Sequence, residues 1–213
     1  MDKFKIGNHT LSELAYKKIK ELIIENVLKP GDKISQEKVA TDLGMSKIPL
    51  IQALALLSKE GLIQKVPRKG FFVKNFSQEE LNDIFVVRSV FEMLGVSALI
   101  DDLNTATEDK LKEFLRGFEN YYNHKKIKEA YDLDVKFHYF LIESSKNKII
   151  INLTEEFNIL LLCFIKGWVL DWNISIKQHK EIINSILIKD RVKAEYAIRN
   201  HINAIREEFI KKN

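Results

Sequence analysis

Asp134 and His138 stand four residues apart in Tyr131-Asp-Leu-Asp-Val-Lys-Phe-His138. On a helix this spacing puts both side chains on one face, within reach of one ion. Two further histidines, His179 in Ser175-Ile-Lys-Gln-His-Lys-Glu-Ile-Ile183 and His201 in Ala197-Ile-Arg-Asn-His-Ile-Asn-Ala204, also sit mid-segment among apolar residues. A histidine that faces a core needs partners for both ring nitrogens. Singly, each of the three reads as a core histidine satisfied by a neighbour. Together with Asp134 they read as a shared site for a divalent transition metal (Zn, Ni, Co, Mn or Fe), to which imidazole and carboxylate are suited donors. Spacing leaves both readings open. Arg88, in Ile84-Phe-Val-Val-Arg-Ser-Val-Phe-Glu92, is a cation among apolar residues, so its guanidinium must face something negative. Either Glu92, at i+4 on the same helical face, supplies that charge, or a bound anionic effector does.

These residues must be positioned by helices. From Ser77 onward no segment reads as a strand, and six stretches carry helical periodicity, at about 78–101, 108–123, 126–145, 148–170, 175–188 and 191–211. Ser77-Gln-Glu-Glu80 opens the first with a capping-box pattern. Such a set buries itself as an all-α six-helix bundle. Trp168 and Trp172 are expected to form core or pocket wall, and neither His124, in a polar loop-like stretch, nor His9 is given a role.

Residues 1–75 differ. Thr10-Leu-Ser-Glu13 is another capping box and opens a helix that ends before Pro30-Gly31. A short helix follows from about Ser35 to Gly44, and a third, capped by Ser46, runs to about Lys59. The period then changes to two: Leu62-Ile-Gln-Lys-Val66 and Gly70-Phe-Phe-Val-Lys74 flank Pro67-Arg-Lys-Gly70, the pattern of a β-hairpin. Three helices and a hairpin are the parts of a winged helix-turn-helix. The expected division is therefore 1–75 and 76–213, in a mainly α chain.

Charge follows that division. The net +4 comprises 14 Lys+Arg against 8 Asp+Glu in residues 1–75, and 20 against 22 beyond. A basic first part suits a nucleic-acid face, although a solvated Lys-rich surface has the same composition. A single cysteine, Cys163, excludes an internal disulfide, and its apolar run is too short to span a membrane. With no signal-peptide pattern at Met1-Asp-Lys-Phe-Lys-Ile, the expected location is the cytoplasm. No HExxH, P-loop or Gly-rich nucleotide fingerprint is present, so the chain does not read as an enzyme. A metal-dependent hydrolase is the alternative that a His/Asp site keeps open.

The motifs resemble the GntR superfamily of bacterial regulators. The resemblance runs through Leu28-Lys-Pro-Gly-Asp-Lys-Ile-Ser35, Val39-Ala-Thr-Asp-Leu-Gly-Met-Ser46, Pro49, Ala53-Leu54, Leu57, Glu60-Gly-Leu-Ile63 and Gly70-Phe-Phe-Val73. It implies a winged helix-turn-helix whose third helix reads DNA. The candidate DNA-contacting residues are Ser46, Lys47, Ile48, Pro49, Ile51 and Gln52 on that helix, and Arg68, Lys69 and Gly70 in the wing. The family commonly has Arg where this chain has Lys47, Ile51 and Glu37, and Glu where it has Gln52. Arg binds guanine bidentately and Ile can meet a thymine methyl, so an altered, more A·T-tolerant site is expected, or a sensor that has lost DNA binding.

Residues 77–210 resemble the FCD ligand-binding domain of the FadR-type subgroup, through Arg88, Glu92, Asp134-x-x-Phe-His138, Asn147, His179, Lys189-Asp190 and His201. The resemblance implies a divalent metal on Asp134, His138, His179 and His201. It also implies a small organic-acid effector beside Arg88, and a homodimer binding a double-stranded operator as a regulator, most simply a repressor. Gln178 stands where Glu commonly precedes the third ligand, a difference that touches groups around the metal.

Overall fold

The structure is a computed structural model that describes residues 10–156 and 171–212. His9, Cys163 with its apolar run, and Trp168 lie outside the described residues. The chain divides into two compact units, the first ending at Phe76 and the second beginning at Ser77.

In the first unit, α1 (Leu11–Ile24) starts at the expected capping box. Thr10 Oγ1 accepts from the Glu13 N–H at 3.3 Å, and the Thr10 N–H donates to Glu13 Oε2 at 3.1 Å. Its buried face is Ala15, Ile19 and Ile23, one residue per turn. Helix α2 (Gln36–Asp42) is capped by Ser35 Oγ and stops before Gly44, whose φ of +61° few other residues adopt cheaply. Helix α3 (Lys47–Lys59) buries Leu50, Ala53, Leu54 and Leu57. Strands β2 (Ile63–Val66) and β3 (Gly70–Val73) pair antiparallel with Val66 opposite Gly70, so Pro67, Arg68 and Lys69 form the tip of the wing.

The sequence pattern predicts only this hairpin. The structure adds β1 (Lys33–Ile34), which pairs with Phe72 and Phe71 to give a three-stranded sheet in the order β1-β3-β2. Two residues carry no periodicity. Burial of Ile34 and the open edge of β3 place this strand, and both are tertiary effects.

The second unit comprises, among its described residues, α4 (Gln78–Asp101), α5 (Thr105–Asn123), α6 (Ile127–Ser144), α7 (Lys148–Glu156), α8 (Trp172–Leu187) and α9 (Arg191–Lys212). The mainly α fold class is as expected, with a winged helix-turn-helix followed by a helical bundle. Two helices start a turn earlier than predicted. Helix α5 begins at Thr105 because Asn104 and Thr107 form a capping box in which Thr takes the usual place of Glu or Gln. Helix α8 begins at Trp172 because the Asp171 carboxylate accepts from the Asn173 N–H. Among the described residues, no helix is long and apolar enough to cross a membrane.

Helix α4 is central to the bundle. Among its eight buried positions, Leu81, Phe85, Arg88, Glu92, Gly95 and Leu99 alternate four and three apart as at a coiled-coil seam, with Val96 and Ile100 beside them. Two seam positions, Arg88 and Glu92, are charged. Gly95 lets the α6 backbone approach: a Cβ there would sit 1.8 Å from the Leu141 carbonyl oxygen. This contact fixes α4 against the helix that carries Asp134 and His138. Helices α6, α8 and α9 each bury an apolar stripe interrupted by histidine: Phe137 and Leu141 beside His138, Ile182 and Ile183 beside His179, and Ile198 and Ile202 beside His201.

Candidate metal centre and DNA-reading face

The three stripes converge. His138, His179 and His201 are each 0% exposed, and one ring nitrogen of each lies within 4.8 Å of the others. His201 Nε2 is 3.3 Å from His138 Nε2 and 3.2 Å from His179 Nε2. Asp134 closes the group, with Oδ1 3.2 Å from His179 Nε2 and Oδ2 3.7 Å from His138 Nε2. All four residues singled out in the sequence are thus brought together from three helices.

The groups behind the histidines decide their tautomers. His138 Nδ1 donates to Glu92 Oε2 at 2.5 Å, and His201 Nδ1 donates to Gln178 Oε1 at 2.9 Å. With protons on both Nδ1 atoms, the two Nε2 atoms present lone pairs to each other in a dry interior. Two such lone pairs repel unless a cation, a shared proton or a metal ion, lies between them. His179 Nδ1 is buried with no hydrogen-bond partner, and its ring stacks on Phe118 at a centroid distance of 4.4 Å. Three convergent imidazole nitrogens and a carboxylate therefore fit a divalent metal by donor chemistry and tautomer alike.

The electrostatics agree. Burial holds His179 well below the ordinary imidazole range, and the neighbouring His138 and Arg88 add to the effect. The same causes, with His179 added, do so for His201. Both are neutral bases at physiological pH, the form that ligates metal. Burial pushes the Asp134 carboxyl up, against the opposing pull of His138 and Arg88. Burial also opposes ionisation of Glu92, but the charges and hydrogen bonds of His138 and Arg88 outweigh it and hold that carboxyl below its usual range.

Arg88 is 1% exposed, and its Nε donates to Glu92 Oε1 at 2.6 Å. Glu92 therefore bridges Arg88 and His138, one oxygen to each. Sequence reasoning paired Glu92 with Arg88 and missed His138, because the two lie 46 residues apart on different helices. The available signal was the charge at two consecutive seam positions of α4. Gln178 was flagged by its neighbour His179, yet its side chain serves His201 on the facing helix. Trp172 meets Tyr131 edge-on at 5.2 Å, and His124 caps α5, its Nδ1 2.8 Å from the Asn120 carbonyl.

In the first unit, α3 exposes Lys47, Ile48, Ile51 and Gln52 on the face opposite its core. Ile48 is 72% exposed and Ile51 44%, side by side with Lys47 and Gln52. Ser46 begins α3, but its hydroxyl makes no cap hydrogen bond. The third residue of the helix is Pro49, which lacks the N–H that such a hydroxyl commonly bonds. Arg68 and Lys69 are exposed at the wing tip, with Arg68 at φ +61° and Gly70 at φ +102°. The Lys47 ammonium meets Glu37 Oε1 at 2.8 Å, across the turn between α2 and α3.

A basic winged helix with an exposed third helix, followed by a helical bundle enclosing a polar centre, is the architecture of a transcription regulator. Residues 11–73 match the family described as bacterial regulatory proteins, gntR family, and residues 83–204 match the FCD domain. The chain belongs to the GntR family of transcriptional regulators, in its FCD-containing branch. It is 28% identical over 211 residues to the uncharacterized HTH-type transcriptional regulator YdhC of Bacillus subtilis (strain 168), covering 95% of this chain and 93% of that protein. It is 27% identical over 182 residues to the gluconate operon transcriptional repressor of Bacillus licheniformis, covering 79% and 72%. The fold is shared with E. coli McbR/YncC, at a TM-score of 0.78 and 16% identity over 97% of this chain and 100% of that one. A GntR-type protein from Rhodococcus sp. RHA1 gives 0.79 and 17%, over 95% and 98%. GntR regulators bind DNA through the winged unit and FCD domains bind small-molecule effectors; these relatives are regulators, not enzymes.

Proposed function

We propose that this chain is a homodimeric repressor in the cytoplasm. Its hold on a double-stranded operator is set by a small carboxylate bound beside a divalent metal in the helical unit. The observation that carries this reading is the buried convergence of His138, His179, His201 and Asp134 next to the Arg88–Glu92 pair. The metal, one of Zn, Ni, Co, Mn or Fe, would be held by these four side chains and would supply an open coordination position for the effector.

Charge balance supports an anionic effector. Arg88 and a divalent ion bring three positive charges, and Glu92 and Asp134 bring two negative ones. A buried excess of one positive charge is costly unless an anion enters. A carboxylate satisfies it, with Arg88 as its counter-ion on α4. An exposed apolar stripe on α4, Val86, Val90 and Leu94, supports self-association. Two copies would offer two reading heads to a paired half-site. Repression follows the name of the Bacillus licheniformis relative. Ser46, Lys47, Ile48, Pro49, Ile51 and Gln52 of α3, with Arg68, Lys69 and Gly70 of the wing, would form the DNA face.

For an effector to act, it must bind one arrangement of the dimer better than the other. The test is fluorescence anisotropy with a duplex from the gene's own upstream region and a scrambled control, at several salt concentrations. The protein is used metal-loaded and then chelated, with and without a panel of small carboxylates. Sequence-dependent binding with a steep salt slope, altered by a carboxylate only in the metal-loaded protein, is expected. Operator affinity indifferent to metal and to every carboxylate would contradict the reading.

A further inference from the structure

Lys47 stands in the first turn of α3, on the exposed face it shares with Ile48, Ile51 and Gln52. Its partner Glu37 lies in the first turn of α2. The two side chains are 56% and 81% exposed, so packing does not hold the pair together and it adds little to stability. The ammonium keeps the Glu37 carboxyl below its usual range, so it is ionised at neutral pH. On a surface that meets phosphates, a carboxylate weakens binding unless the duplex offers it a hydrogen-bond donor. In the major groove such donors are the exocyclic amino groups of cytosine and adenine.

We propose that Glu37 and Lys47 act as one unit that reads a single G·C base pair, Lys47 donating to guanine O6 and N7 and Glu37 accepting from N4 of the paired cytosine. The inference rests on the DNA-binding reading above. Its basis is a match of spacing. Within a G·C pair the N4–H···O6 hydrogen bond holds its heavy atoms at about 2.9 Å, the usual N–H···O distance. Lys47 Nζ and Glu37 Oε1 are 2.8 Å apart. Laid edge to edge, the two couples close a ring of four hydrogen bonds: Lys47 to Glu37, Lys47 to O6, N4 to O6, and the second N4 hydrogen to Glu37. No donor faces a donor and neither charge is left unpaired.

Other base pairs fit less well, for different reasons. An A·T pair sets the adenine amino group against the ammonium and thymine O4 against the carboxylate. A T·A pair closes the same ring, with O4 under Lys47 and the adenine amino group under Glu37, and is discriminated only by the methyl group that replaces guanine N7 and by adenine N7 near the carboxylate. Reversal to C·G exchanges donor and acceptor. Beside this unit, Ile48 and Ile51 suit thymine methyls, so the half-site is one fixed G·C pair flanked by A·T.

The test is selection from a pool of randomised duplexes by the full-length protein, repeated with Glu37→Ala, Glu37→Gln, Lys47→Ala and the Glu37→Ala/Lys47→Ala double variant. Wild type is expected to recover half-sites with one G·C pair fixed. Each alanine variant should release that position by roughly tenfold, the scale of one set of base-edge contacts, and leave the others fixed. The double variant should add little to either single change, as coupled residues do. Glu37→Gln, whose amide oxygen also accepts from N4, should keep part of the preference. Both side chains are exposed, so thermal midpoints should not move and loss of fold is not confused with loss of readout. If Glu37→Ala binds every duplex more tightly with an unchanged base profile, Glu37 only masks Lys47 and the inference is wrong, while the DNA-binding reading stands. If wild type recovers no sequence at all, both fail.

Discussion

Two ion pairs of similar length serve opposite purposes in the two units. Lys47–Glu37 spans 2.8 Å on the surface of the winged unit, and Arg88–Glu92 spans 2.6 Å in the core of the helical one. The first is surrounded by water, which screens it and replaces it cheaply, so its value lies in what it presents to a partner. The second has lost its water. There each charge depends on the other, and His138 depends on both. Burial therefore separates a recognition device from a positioning device, although the chemical groups are nearly the same.

Breaking the two pairs should give very different results. Glu92→Leu leaves Arg88 buried without its carboxylate and His138 Nδ1 without its acceptor. Loss of one partner of a buried pair costs about 3–5 kcal/mol. Chemical denaturation should show the helical unit destabilised on that scale, whereas Glu37→Ala should leave its unit's midpoint unchanged. Equal effects would end the contrast.

Next in size is Gly95→Ala. The added methyl group meets the Leu141 carbonyl, which cannot move without α6, so overpacking should cost roughly 1–3 kcal/mol or more. Because α6 carries two of the proposed ligands, metal affinity should fall with stability. Gly117→Ala is a control, since its closest contact is the end of the Leu133 side chain, which can turn away. Smaller still is the effect of Gln178→Ala, which removes the acceptor behind His201 and should weaken metal binding by about 10- to 100-fold with little change in fold. Gln178→Glu should strengthen binding, since a carboxylate makes the imidazole a better donor. Competition against a chromogenic chelator would measure both.

The two units also differ in how legible they were. Local signals carried far: both capping boxes opened the helices they predicted, and Asp134 and His138 share a face as their spacing of four requires. What escaped was set by contacts distant in sequence. Strand β1 exists because Phe71 and Phe72 need an edge partner. Glu92 reaches His138 across 46 positions, and Gln178 serves a histidine 23 positions away rather than its neighbour. The Glu37–Lys47 contact depends on the turn between two helices, whose geometry composition does not reveal. The residue types pointed to metal chemistry, but only the fold shows which groups stand behind each ring.

The central claim is that the four side chains of the helical unit form a metal site. Elemental analysis of protein purified without chelator, equilibrated with divalent metals and dialysed, tests it most directly when run beside Asp134→Asn and His201→Ala. One divalent ion per chain in wild type, with affinity collapsing in both variants, is the predicted result. Wild-type protein that retains no metal, or variants that hold it with unchanged stoichiometry and affinity, would contradict the account.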